Sequence, residues 1–139
     1  MSERAQTLER IDHALAEVSA IELALRMAHR GDPPAIDRSD LGRRFRAIAH
    51  AVSGHHAFAP VEELAGLVVR VTEGADRNVL LSEQGIEVVQ HAADVLSLLL
   101  RDMGHQILGR RAANVAPASG ALRERLEHML LTHPGQPQP

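Results

Sequence analysis

Between Ser82 and Leu108 seven apolar residues fall three or four positions apart: Ile86, Val89, Ala93, Leu96, Leu100, Met103 and Ile107. That spacing gathers them on one side of an α-helix, which turns once in about 3.6 residues, and it scatters them over both faces of a strand. Ser82 supplies an N-cap for this helix, and Gly104 and Gly109 weaken its later turns. Val88, Val95 and Leu98 make a second apolar flank, so the helix is expected to be central or to meet a partner, a second copy of the chain included.

The same period recurs elsewhere. Leu8, Ile11, Leu15, Val18, Ile21 and Leu25 form one stripe, which should stop near Gly31 where "GDPP" cannot continue a helix. Ser39 or Asp40 is expected to cap a second helix with Leu41, Phe45, Ile48 and Val52 on its inner face, ending near 54–57. Pro60 suits the first turn of a third helix, with Val61, Leu64, Val68 and Val71 inward and its end near Gly74. "ANVAPASG" reads as a connector, and "ALRERLEHMLL" as a short fifth helix carrying Leu122, Leu126, Met129 and Leu130.

No stretch alternates apolar and polar residues as a strand does. Aromatic residues are 1% of the chain, Phe45 and Phe58 being the only rings, so the core must be aliphatic, which suits packed helices. The expected fold is all-α: an antiparallel four-helix bundle with a short fifth helix, formed by residues 1–131, with a disordered Pro/Gly/Gln tail over 132–139.

Charge and composition narrow the function. A formal net charge of −3 gives no basic footprint for phosphate neutralisation, so nucleic acid is not an expected partner. All 15 basic residues are Arg, and the absence of Cys excludes disulfides, thiol catalysis and thiolate metal sites. The charged, amphipathic N-terminal stretch has no secretory pattern, and no uninterrupted apolar run exceeds three residues, as at Leu98–Leu100, far short of a membrane span; a cytoplasmic protein is expected.

The chemistry-bearing stretch is "FRAIAHAVSGHHAF", residues 45–58. A helical wheel places His50 well round from the Phe45 and Val52 stripe, on the side of Arg43, Arg46 and Ser53. An exposed neutral imidazole is a nucleophile toward phosphorus, and guanidinium groups one and two turns upstream would attract the charge of a phosphoryl group placed on it. An exposed histidine among the chain's 9 is equally a solvated surface residue. His55 and His56 are not expected to join His50 as zinc ligands, because helical ligands sit at i and i+4 and no carboxylate completes the set.

The stretch resembles the phosphoacceptor helix of histidine phosphotransfer (HPt) domains, particularly those of the chemotaxis kinase CheA type, whose motif runs Arg-x-x-His-Ser/Thr-Leu/Ile-Lys-Gly. His50, Val52 and Gly54 fall on the motif's His, aliphatic and Gly positions, and the order of helices is similar to about residue 131. The resemblance implies a bundle of HPt type that exchanges a phosphoryl group between His50 and a receiver aspartate. Arg43 and Arg46 would then steady the charge, Ser53 offer a hydrogen bond, and Gly54 permit close approach. It further implies a response-regulator receiver domain as partner, a histidine kinase as donor, no cofactor of the chain's own, and magnesium only as supplied with the receiver. Ser53 replaces the family's lysine, and Gly66 and Val69 stand where a His and Glu pair is usual.

A second stretch, "DMGHQILGR" at 102–110, is similar to the Asp-x-x-x-Gln segment of the CheZ phosphatases. Asp102 and Gln106, one turn apart, share a helix face. The resemblance implies that Gln106 orients a water toward a receiver's phosphoaspartate while Asp102 engages the receiver's lysine. Three functions therefore stay open: phosphotransfer through His50, phosphatase action through Asp102 and Gln106, and a binding module that docks without chemistry.

Overall fold

Ser82 caps its helix as the sequence requires: its hydroxyl accepts from the Gly85 backbone N–H at 3.1 Å, and the helix then runs unbroken through Gly104. The structure is a computed structural model and describes residues 2–29, 38–54, 58–75, 80, 82–109 and 116–132. Among these every element is a helix: α1 Glu3–His29, α2 Arg38–Ala51, α3 Ala59–Gly74, α4 Glu83–Ile107 and α5 Ala116–Thr132. None of them is long and apolar enough to cross a membrane.

The apolar stripes meet in one aliphatic core. Ile11, Val18, Ile21 and Leu25 of α1, Leu41, Phe45 and Ile48 of α2, Val61, Leu64, Val68 and Val71 of α3, and Val89, Leu96 and Leu100 of α4 are all buried. α1 packs on α2 and α4, and α3 packs on both of the same helices, which closes a ring; α5 lies against α3 and α4. α5 explains the second flank of α4: it closes that side with Leu122, Leu126 and Met129, Val88 and Val95 are buried, and Leu98 stays in solvent.

One end of this bundle carries the features that matter below. The start of α1 reaches the end of α2 through Arg10, whose guanidinium also lies 5.6 Å over the Phe58 ring at the start of α3. Glu3 and Thr7 of α1 share a groove with Phe58 and with Met103 and Gln106 from the end of α4.

Three helix boundaries differ from expectation. α2 begins at Arg38, so Ser39 and Asp40 lie inside its first turn; the Asp40 carboxylate accepts from Arg43 and Arg44 further along the same helix. α2 also stops at Ala51 instead of near 54–57: residues 52–54 form a turn in which Gly54 takes a φ of +84°, a left-handed geometry that suits glycine. α5 begins at Ala116, so the second half of "ANVAPASG" is helix, with Pro117 in the first turn, where its missing N–H costs nothing. The expected tail over 132–139 begins one residue later at the earliest, since Thr132 is the last residue of α5; the expected stop near Gly31 and residues 133–139 lie outside the described residues.

Gly42 of α2 lies directly against Thr72 of α3. A Cβ built there would sit 3.0 Å from the Thr72 hydroxyl oxygen, which is itself fully buried and donates to the Val69 carbonyl at 2.7 Å. Any larger residue at 42 would push the two helices apart.

Candidate functional site

Why His50 is exposed follows from the packing of α2. Leu41, Phe45, Ile48 and Val52 point inward, so the opposite flank carries Arg43, Arg46 and His50, all exposed. Side chains three or four positions apart on a helix are neighbours, so the three make a continuous strip along the last three turns.

The guanidinium groups of that strip are engaged. Arg43 pairs with Asp40, whose other oxygen takes the Arg44 Nε at 3.1 Å, and Arg46 pairs with Glu73 across on α3. Three guanidiniums against two carboxylates leave this side of α2 positive in balance. Arg44 and then Arg43, bonded to its carboxylate, hold Asp40 below the usual carboxylate range. Any further anion drawn to Arg43 or Arg46 would therefore have to displace a carboxylate.

The turn after His50 is bound from several directions. The Ser53 hydroxyl donates to the His50 carbonyl at 3.0 Å, and the Ser53 backbone N–H reaches the same oxygen at 3.3 Å. In this arrangement Ser53 serves the backbone of the turn. Arg10 donates from Nε to the Ala51 carbonyl at 2.9 Å and from Nη2 to the Ser53 carbonyl. A cation at the carbonyl end of α2 both satisfies unpaired acceptors and opposes the negative end of the helix dipole. Among the described residues, its chain neighbours aside, no atom lies within 4 Å of a Cβ built on Gly54.

Gly66 and Val69, the two residues that the resemblance sets against a His and Glu pair, lie on α3. Val69 is 8% exposed and packed in the core, and a Cβ built on Gly66 meets nothing within 4 Å. Glu73 is the α3 carboxylate brought to the strip, and it engages Arg46.

The second candidate pair lies on the last turns of α4. Asp102 is half-buried and Gln106 exposed, with Gly104 helical between them, so the two keep one face. Gln106 lines an open groove of about 420 Å³ together with the apolar Phe58, Met103 and Ile107 and with Glu3, Arg4 and Thr7 of α1. The lining thus mixes apolar side chains with the charged Glu3 and Arg4. Among the described residues no group of three or more His, Asp or Glu side chains is arranged to hold a metal ion. His55, His56 and Arg110 lie outside the described residues.

Arg10, Glu73 and Asp40 are the participants that sequence reading misses. Asp40 had a local signal, since carboxylate and guanidinium at i, i+3 and i+4 pair on a helix. Arg10 and Glu73 act 41 and 27 residues away from their partners, and such pairs depend on the register of packed helices.

No family model matches the chain, and neither does any curated protein or solved structure.

Proposed function

We propose that the chain is a signalling protein of a two-component or chemotaxis pathway that binds receiver domains and carries a phosphoryl group on His50, on an antiparallel four-helix bundle of HPt type with a fifth helix added. The observation that carries this reading is the strip on α2: an exposed imidazole with Arg46 one turn and Arg43 two turns before it. In the transfer, a ring nitrogen of His50 attacks the phosphorus of a receiver's aspartyl phosphate. The P–O bond to the aspartate breaks, the carboxylate is restored, and the proton on the other ring nitrogen goes to solvent. The reverse step returns the group. Such chemistry asks mainly for positioning and charge, which an exposed strip can supply once a partner covers it.

The test is incubation with a histidine kinase, ATP and a receiver. Acid-labile phosphate should appear on His50, and a His50→Gln protein that accepts as much label would end this reading.

A second reading has its own support in the groove that Gln106 lines, where an amide among apolar and charged side chains could orient a water against a docked receiver. Here Gln106 positions the water, Asp102 engages the receiver's lysine, and a labelled receiver loses phosphate faster in the presence of the protein. If Gln106→Ala retains the full rate, Gln106 is not the catalytic residue. Receiver binding with neither transfer nor accelerated loss would leave the bundle as a docking module.

A further inference from the structure

We infer that Glu73 is a placeholder for the phosphoryl group: it holds Arg46 while His50 is bare and yields it when His50 is phosphorylated. The inference rests on the reading of His50 as a phosphoacceptor and adds to it a means by which the bundle senses its own state.

Arg46 is one turn before His50 on the same flank, within reach of a group on the imidazole. It is paired across the helix boundary with Glu73. Both side chains are well exposed, at 64% and 58%, so the pair is weakly held and water can enter as it opens. A phosphoryl group brings up to two negative charges and three oxygens, against one charge and two oxygens on a carboxylate, and a guanidinium prefers it as a bidentate partner.

Glu73 has somewhere to go. Arg70, three residues back on α3, is exposed on a groove it shares with Glu62, Glu63 and Glu127, and among the described residues it is in none of the ion pairs. Residues at i and i+3 meet on a helix, so Glu73 can turn to Arg70 as Arg46 leaves. Arg43 is held differently, by Asp40 on its own helix, and its release would leave the contact between α2 and α3 unchanged. Arg46 is the one whose exchange of partners undoes an ion pair between two helices. Phosphorylation would therefore loosen α3 from α2 at Glu73, where a receiver or kinase could read the difference.

The experiment uses the full chain and phosphoramidate, a small donor that reaches an exposed histidine without a kinase. The ring nitrogen bonds to phosphorus as the P–N bond to ammonia breaks, ammonia leaves, and the ring proton goes to solvent. Phosphorus NMR then follows the pH titration of the phosphoryl group on His50, assigned by its loss in His50→Gln. A nearby cation favours the dianion and lowers the midpoint. Arg46→Met should therefore raise it by about 0.4 pH unit with Glu73 in place, and by a similar amount in a Glu73→Gln protein, because Glu73 has already given the guanidinium up. An Arg46→Met shift that appears only when Glu73 is replaced by Gln overturns the inference, since Glu73 would then keep Arg46 while His50 is phosphorylated. Phosphate on exposed His105 is the internal control and should not move. A phosphorylated protein that passes its group to no receiver would remove the relay reading and leave the answer of this cycle intact.

Discussion

Arg10 reaches from the second turn of α1 to the last turn of α2 and donates to the Ala51 carbonyl at 2.9 Å, in the same stroke covering the Phe58 ring at 5.6 Å. One side chain thus ties three helices together beside His50. Replacing it with Met keeps much of the apolar stem and removes the donors, leaving the Ala51 and Ser53 carbonyls to water. The expected loss is about 1–2 kcal/mol in urea unfolding, with faster hydrogen exchange at Ser53 and Gly54. An unchanged midpoint would mean the contact contributes nothing net.

At Gly42 the prediction is a reversal of sign. Gly42→Ala alone forces a methyl to within 3.0 Å of the Thr72 hydroxyl and should destabilise by about 1 kcal/mol or more. In a Thr72→Ala background the oxygen is gone and the nearest remaining atom is Cβ at 3.8 Å, an ordinary contact. There the higher helix propensity of Ala should make the same substitution neutral or stabilising by up to about 1 kcal/mol. The four proteins of that cycle, unfolded in urea, give the coupling directly.

His50 is exposed, with no side-chain contact that the core depends on, so His50→Gln should keep stability within about 0.5 kcal/mol of the parent. Thermal unfolding of the two proteins checks this. A large loss would mean that a failure of His50→Gln to take label reports unfolding and not chemistry.

What sequence reading could reach follows from how local each feature is. Leu41, Phe45, Ile48 and Val52 are buried as their spacing demands, and Ser82 caps as its position before an apolar run demands, because both depend on neighbours within two turns. The exposure of His50 is legible for the same reason: it is the complement of the buried stripe. The start of α2 is not, since Asp40 has two arginines within a turn and bonds to them in preference to capping. The end of α2 depends on Arg10, and the state of Arg46 on Glu73; nothing near either arginine announces those partners. The candidate site was therefore legible as a set of side chains on one flank. It was not legible as a set of charges already spoken for.

The last prediction concerns pH, where two carboxyl groups act with opposite signs. Burial first, and then the Asp94 carboxylate facing it on α4, push Glu22 above its ordinary value of 4.5, while Arg26 and Arg101 pull the other way. A raised folded value means the native state binds that proton more tightly than the unfolded chain, so Glu22 begins to cost stability as pH rises past 4.5 and costs most once its raised value is exceeded. Glu22→Gln, which cannot ionise, should therefore be more stable than the parent at pH 7 by less than about 1 kcal/mol, with the difference closing toward pH 4.5. Asp40, held below 3.8 by Arg44 and Arg43, runs the other way: its contribution is whole above 3.8 and is lost as pH falls through its lowered value. Asp40→Asn should be the less stable protein at pH 7 and pH 5 and should converge on the parent only in stronger acid. Urea midpoints for the three proteins at pH 7, 5, 4 and 3 separate the two effects. If Glu22→Gln is the weaker protein at pH 7, the contact between Glu22 and Asp94 stabilises the α1 and α4 interface and the assignment of its sign is wrong.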